Sequence, residues 1–312
     1  MHGVTLFITQ LYVESSLFGI YLVLFAAVIY LKTRNRRRIV VSARRSIPFV
    51  LLGLFAQFLT ISGHWIDTIY VAYYSLIYLG GGQAAAAYYN NPSTPPLFAQ
   101  LAMYTVCSII TDWLVIHRLF MVCRRKWIYV VLPGALLLGQ VISGTGGLIV
   151  LGVLQDQGIP LLTVDADSRG WVTTALLLSI IISTYSTAVI AWKIWRIHRA
   201  LKSANSIIPT GTQLMPFFTI IIESAGLQTA TGITILFAFL FGNVAQVLVL
   251  EIAPVIFGLS TVLIHARIGL GWAHEPKPDA QPGSGGSSTP TTNIFPGAGI
   301  APFLSSEDPA VV

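Results

Sequence analysis

Charge is what this chain has least of. Of its 312 residues only 10% are Asp, Glu, Lys or Arg, against about 25% in an ordinary soluble domain. So few charges cannot cover a water-facing surface on a chain that is 54% hydrophobic with a mean hydropathy of +0.75. The deficit excludes a soluble globular protein, a disordered charged chain and a collagen-like one. Cysteine is nearly absent: Cys107 and Cys123 are the only two, too few for a disulfide framework. They fall on one predicted helix, about 24 Å apart along it, so they cannot bridge each other. A P-loop, a dinucleotide-binding fingerprint and an internal duplication are also missing, as is any Asn-x-Ser/Thr acceptor with x other than proline.

What remains are long apolar runs. A helix crossing a hydrocarbon core of about 30 Å needs roughly 20 apolar residues, and seven segments supply them. They are Phe7–Leu31, Ile47–Tyr70 (with an extension towards Leu79), Leu97–Val122, Trp127–Leu154, Trp171–Ile194, Leu214–Phe241 and Ala245–Ile268. Runs of this length lack the alternation of barrel strands and must close their hydrogen bonds as helices. The expectation is an all-α polytopic membrane protein, a bundle of seven transmembrane helices over residues 1–271. Residues 272–312, rich in Pro, Gly and Ser, read as a disordered cytoplasmic tail. Ser287, Ser288, Thr289, Thr291, Thr292, Ser305 and Ser306 are candidate phosphorylation sites within it.

The scarce cations are unevenly placed. All of the 18 Lys and Arg residues except Arg169 lie in or beside alternate connections and the segment after the last span. Arginine- and lysine-rich short loops stay cytoplasmic, so the N-terminus is expected outside and the C-terminus inside. The first run has no basic residues before it and no small-residue cleavage site after it, so it reads as an uncleaved signal-anchor. The net charge of +6 is therefore topogenic, and no nucleic acid is expected as partner. The Arg34–Arg45 cluster also suits anionic lipid headgroups. The plasma membrane is the expected location, with another endomembrane as the alternative.

Ionisable groups within spans are costly, at least about 2.5 kcal/mol each on insertion scales, so their positions are informative. At 1.5 Å per residue, Glu14, His64, Asp67 and Glu251 share the outer third, where they read as a water-accessible outer vestibule. Asp112 and Glu223 lie nearer the midplane, and Arg118 lies at the cytoplasmic end of the third span. These three are the expected polar network, serving as a ligand or proton site. Their plain alternatives are interfacial residues and a purely structural network. Gly139, Ser143 and Gly147 form a stripe of small residues suited to close helix contact within the bundle.

Several chemistries drop out. No lysine occupies a span interior, which excludes a retinal Schiff base. His64 lies near one leaflet and His117 and His265 near the other, so the histidines cannot share a metal. No metal site, no haem or other cofactor, and no catalytic set is expected.

Five stretches together resemble a group of uncharacterised seven-helix membrane proteins of basidiomycete fungi. They are Asp112-Trp113-Leu114-Val115-Ile116-His117-Arg118, Trp192-Lys193-Ile194-Trp195-Arg196-Ile197, Ile222-Glu223-Ser224-Ala225, Pro254-Val255-Ile256-Phe257-Gly258 and Leu263-Ile264-His265-Ala266-Arg267-Ile268-Gly269. His117 stands where that group usually has an aromatic, often tyrosine. The likeness spans Leu17–Gly271 and implies a fold and a fungal origin; no ligand or reaction comes with it. The functional expectation is a receptor-like protein that senses an unknown ligand by helix repacking and engages a cytoplasmic signalling partner. The alternatives are a transporter or proton-coupled carrier using Asp112 and Glu223, then a membrane enzyme or a lipid-organising protein.

Overall fold

The computed structural model of the protein describes residues 2–35, 47–80, 84, 88, 94–123, 125–156, 166–203, 211–241 and 245–271. The chain divides into Met1–His274 and Glu275–Val312; the described residues all fall in the first. The expected tail, its candidate phosphorylation sites and most of the Arg34–Arg45 cluster lie outside the described residues.

Seven long helices and no strands occur among the described residues. They are α1 (His2–Asn35), α2 (Ile47–Tyr73), α3 (Pro95–Val122), α4 (Ile128–Asp156), α5 (Ala166–Ser203), α6 (Gly211–Leu240) and α7 (Ala245–Gly271). Each contains one of the seven apolar runs, and the bounds agree to within a few residues over most of them. α1 to α5 and α7 are each long and apolar enough to cross a bilayer; α6 contributes a shorter apolar stretch, Gly226–Leu240, among the residues whose side chains are described.

Helix ends follow local chemistry. Pro95 opens α3, where its missing N–H costs nothing. α2 runs on into one π-helical turn, Tyr74–Tyr78, which stacks Tyr74 on Tyr78 with ring centroids 5.5 Å apart. Gly80 follows at φ +71°, a conformation that suits glycine.

The distribution of side chains is inverted relative to a soluble protein. Val23 is 66% exposed, Leu52 65%, Leu138 66% and Ile149 67%, whereas Gln57, Thr111, Ser143, Ser186 and Gln228 are buried. Apolar faces turned outward and polar ones turned inward are what a hydrocarbon solvent selects. The protein is therefore an integral, multi-pass membrane protein in contact with the lipid bilayer.

Helices adjacent in sequence pack as neighbours, α1 closes against α7, and α3 sits inside, touching α2, α4, α5 and α7. Small residues permit the tightest crossings. A Cβ added to Gly258 would collide with Ile61 and come within 2.8 Å of Tyr21; one added to Gly53 would lie 2.7 Å from Leu114. Gly139 and Gly147 face Leu178 and Trp171 of α5, so the small-residue stripe serves contact inside the bundle. Phe18 stacks on Trp65 at 4.6 Å and Phe25 on Phe58 at 4.5 Å, seaming α1 to α2.

Candidate functional site

Two buried polar centres lie in the bundle. The first surrounds Asp112, wholly buried on the inner helix α3. Its Oδ2 accepts hydrogen bonds from the Gln140 amide of α4 at 2.9 Å and the Ser179 hydroxyl of α5 at 2.6 Å. Its Oδ1 accepts one from the Gln228 amide of α6 at 3.1 Å. Gln140 also donates to Ser108 at 3.2 Å. One carboxylate thus ties four helices together, with both oxygens satisfied by neutral donors. In a low-dielectric interior such bonds fix helix positions.

A cleft of about 10 Å³, room for little more than one water molecule, adjoins this centre, lined by Tyr104, Ser179, Ser183, Gln228, Thr229 and Phe257. Two of the three donors to Asp112 form part of its wall.

The second centre lies at the end of the bundle where α1 begins. His64 of α2 stands between two glutamates: Nδ1 is 3.0 Å from Oε1 of Glu14 on α1, and Nε2 is 3.4 Å from Oε2 of Glu251 on α7. Glu14 is 0%, His64 1% and Glu251 4% exposed. Thr68 donates to Glu14 Oε1 at 3.4 Å, and Gln100 of α3 donates to Thr68 at 3.3 Å. Glu14 Oε2 and Glu251 Oε2 are sealed from solvent without a hydrogen-bond donor.

A further polar tie sits towards the other end of α3. The Arg118 guanidinium donates to the Thr261 carbonyl of α7 at 3.2 Å. Gln57 of α2 donates to the Thr111 hydroxyl at 2.9 Å and reaches that of Thr261 at 3.5 Å.

Measured against the sequence, the outer four residues converge only in part. Glu14, His64 and Glu251 meet, while Asp67 stands one turn beyond His64 and is half-buried. The group is not a water-accessible vestibule, because the packing of α1, α2 and α7 closes over its three central members. The midplane network is corrected as well. Asp112 is its centre, but Glu223 is exposed on α6 and takes no part. Glu223 precedes Gln228 by five residues, about 140° around a helix, so the two cannot share a face. Arg118 pairs with a carbonyl, not with Asp112. Cys107 and Cys123 are buried and free.

Sequence reasoning passed over Gln140, Ser179 and Gln228. A signal was present, since glutamine is uncommon in apolar spans and each of these lies inside one. Their convergence depends on helix rotation, which no single span encodes. The histidines do separate by depth, as expected. His64 converges instead with two carboxylates, a combination that histidine spacing does not reveal.

Comparison with protein-family models, with curated proteins and with solved structures gave no match in any of the three.

Proposed function

We propose that this membrane protein is receptor-like, with the cleft beside Asp112 as its ligand site and the four-helix tie at Asp112 as its switch. The observation that carries this reading is the sharing of Ser179 and Gln228 between the cleft wall and the Asp112 hydrogen bonds. The cleft as it stands holds little more than a water molecule, so a polar ligand enters only by parting its walls and then competes with Asp112 for these donors. The cost of losing one falls on a buried carboxylate, so α5 and α6 repack against α3. A ligand moves such an equilibrium only by its differential affinity for the two packings, and the shared donors supply that difference.

The same proposal orients the chain with its basic ends in the cytoplasm. At that end of α5, Arg199 lies over Trp195 at 5.0 Å and Arg196 over Trp192 at 5.7 Å. An arginine-capped aromatic band of this kind suits an interface and would present the moving helix to a signalling partner. The plasma membrane and the fungal seven-helix group belong to this proposal through the basic-loop asymmetry and the five sequence stretches that support them.

Spin labels at Met121 and Trp195, both exposed, report the α3–α5 separation in nanodiscs. Gln228→Leu and Ser179→Ala each remove one shared donor and should add a second distance population to the wild-type one. A single unchanged distribution in both variants rejects the switch. If vesicles containing the protein instead carry a proton or substrate flux that Asp112→Asn abolishes, a carrier replaces the receptor reading.

A further inference from the structure

We propose that Glu14, His64 and Glu251 bind a divalent transition-metal cation, Zn²⁺ foremost, within the membrane-spanning bundle. Four observations carry this assignment.

The first is convergence. One ligand atom from each residue lies within 4.8 Å of the other two, and among the described residues this is the one such group. Around tetrahedral Zn²⁺, donors at about 2.1 Å from the ion stand about 3.4 Å from one another. Glu14 Oε1 lies 3.0 Å from His64 Nδ1, and Glu251 Oε2 lies 3.4 Å from the opposite ring nitrogen, Nε2. One ion takes one of the two nitrogens, so binding requires the carboxylate on the far side of the ring to swing round to the other's side, within the 4.8 Å that already separates the three ligand atoms.

The second is charge. Two carboxylates and one imidazole buried in a lipid-embedded bundle carry up to two negative charges against at most one positive. Burial of uncompensated charge is strongly unfavourable. A divalent cation balances both glutamates and leaves the imidazole neutral, the form in which histidine ligates metals.

The third is the pair of orphaned oxygens. Glu14 Oε2 and Glu251 Oε2 accept no hydrogen bond although both residues are more than nine-tenths buried. Glu251 Oε2 nevertheless points at the His64 ring, 3.4 Å from Nε2. Buried polar atoms of this sort call for a partner, and a cation between the three side chains supplies it for both.

The fourth is support. Each ligand stands on a different long helix, and the chain from Gln100 to Thr68 to Glu14 orients one carboxylate from outside, as the surroundings of metal ligands commonly do. Imidazole nitrogen with two carboxylate oxygens suits Zn²⁺ and its first-row neighbours better than the octahedral all-oxygen shell that Mg²⁺ demands. Three protein ligands also leave one position open.

The test uses the full chain purified in detergent, stripped with chelator and then desalted after Zn²⁺ is added. About one Zn²⁺ should remain per chain, with three protein ligands from one site. Glu14→Gln and Glu251→Gln keep side-chain size and should each weaken binding at least about tenfold, the scale of a lost supporting contact or more. Glu223→Gln, exposed on α6 and outside both centres, should bind as the unaltered chain does. Co²⁺ offers a second readout that needs no variant: the unaltered protein should develop visible absorption bands of a low-symmetry site, which Zn²⁺ then bleaches. Zinc retained well below one per chain with no Co²⁺ bands overturns the proposal. Equal retention by the Glu14→Gln/Glu251→Gln double variant overturns it as well. In either case the cluster is a proton-sharing ionic triad.

Discussion

The two buried centres place carboxylates in one bundle under opposite conditions. Asp112 has three neutral donors from three other helices, and neither oxygen lacks a partner. Glu14 and Glu251 share one imidazole and leave two sealed oxygens without donors. In the first centre the unpartnered atom is the Gln140 amide oxygen, beside a carboxylate that is itself fully engaged, whereas in the second it is the carboxylates themselves that lack donors. A buried acid is therefore not a sign of one function. What differs between the two is how far neighbouring side chains meet the carboxylates' need for donors.

The comparison breaks most readily at Asp112. Asp112→Leu strands the Gln140, Ser179 and Gln228 donors in the interior and should cost about 3–5 kcal/mol, the scale for removing one partner of a buried charged network. Loss of monodisperse protein in detergent, partly rescued by Asp112→Asn, is the expected outcome. If Asp112→Leu is tolerated, the four-helix tie is not a stability element.

Next comes the seam that supports the second centre. Gly258→Ala pushes a methyl group into Ile61 and Tyr21, and overpacking of this kind costs about 1–3 kcal/mol. It should lower the thermal midpoint, and because α7 carries Glu251 it should weaken Zn²⁺ retention at the same time. Gly139→Ala, facing only Leu178 at 3.3 Å, should leave retention unchanged and lower the midpoint less.

Arg118→Lys loses the planar fork that reaches the Thr261 carbonyl. A loss of about 1–2 kcal/mol is expected for a hydrogen bond from a charged group, read as a lower denaturation midpoint. The smallest effect should come from Glu14→Gln in chelated protein. There one of two repelling carboxylates becomes neutral, and stability should shift by no more than about 1 kcal/mol in either direction. With Zn²⁺ added, only the unaltered chain should gain thermal stability, because a ligand stabilises the state it binds.

The seven helices among the described residues were legible because hydrocarbon imposes one requirement, an apolar run long enough to close its own hydrogen bonds. The shared depth of Glu14, His64 and Glu251 was legible for a related reason, since a helix rises a fixed distance per residue. Their burial was not. Depth along a helix says nothing about which way a side chain faces, and facing depends on the rotation of α1, α2 and α7 about their own axes. Glu223 illustrates the same limit. Counting residues puts it near the depth of Asp112, yet α6 turns Gln228 inward and leaves Glu223 exposed.

By itself, then, the sequence determined that the chain is a membrane-embedded helical bundle, where the seven helices of the described residues run and which polar groups share a level along them. All three follow from counting residues against the thickness of a hydrocarbon layer. Only the tertiary structure decided that Asp112 is held by Gln140, Ser179 and Gln228, and that His64 stands between two glutamates with oxygens to spare. Those relations are set by contacts between helices far apart in sequence, where packing fixes azimuth as well as depth.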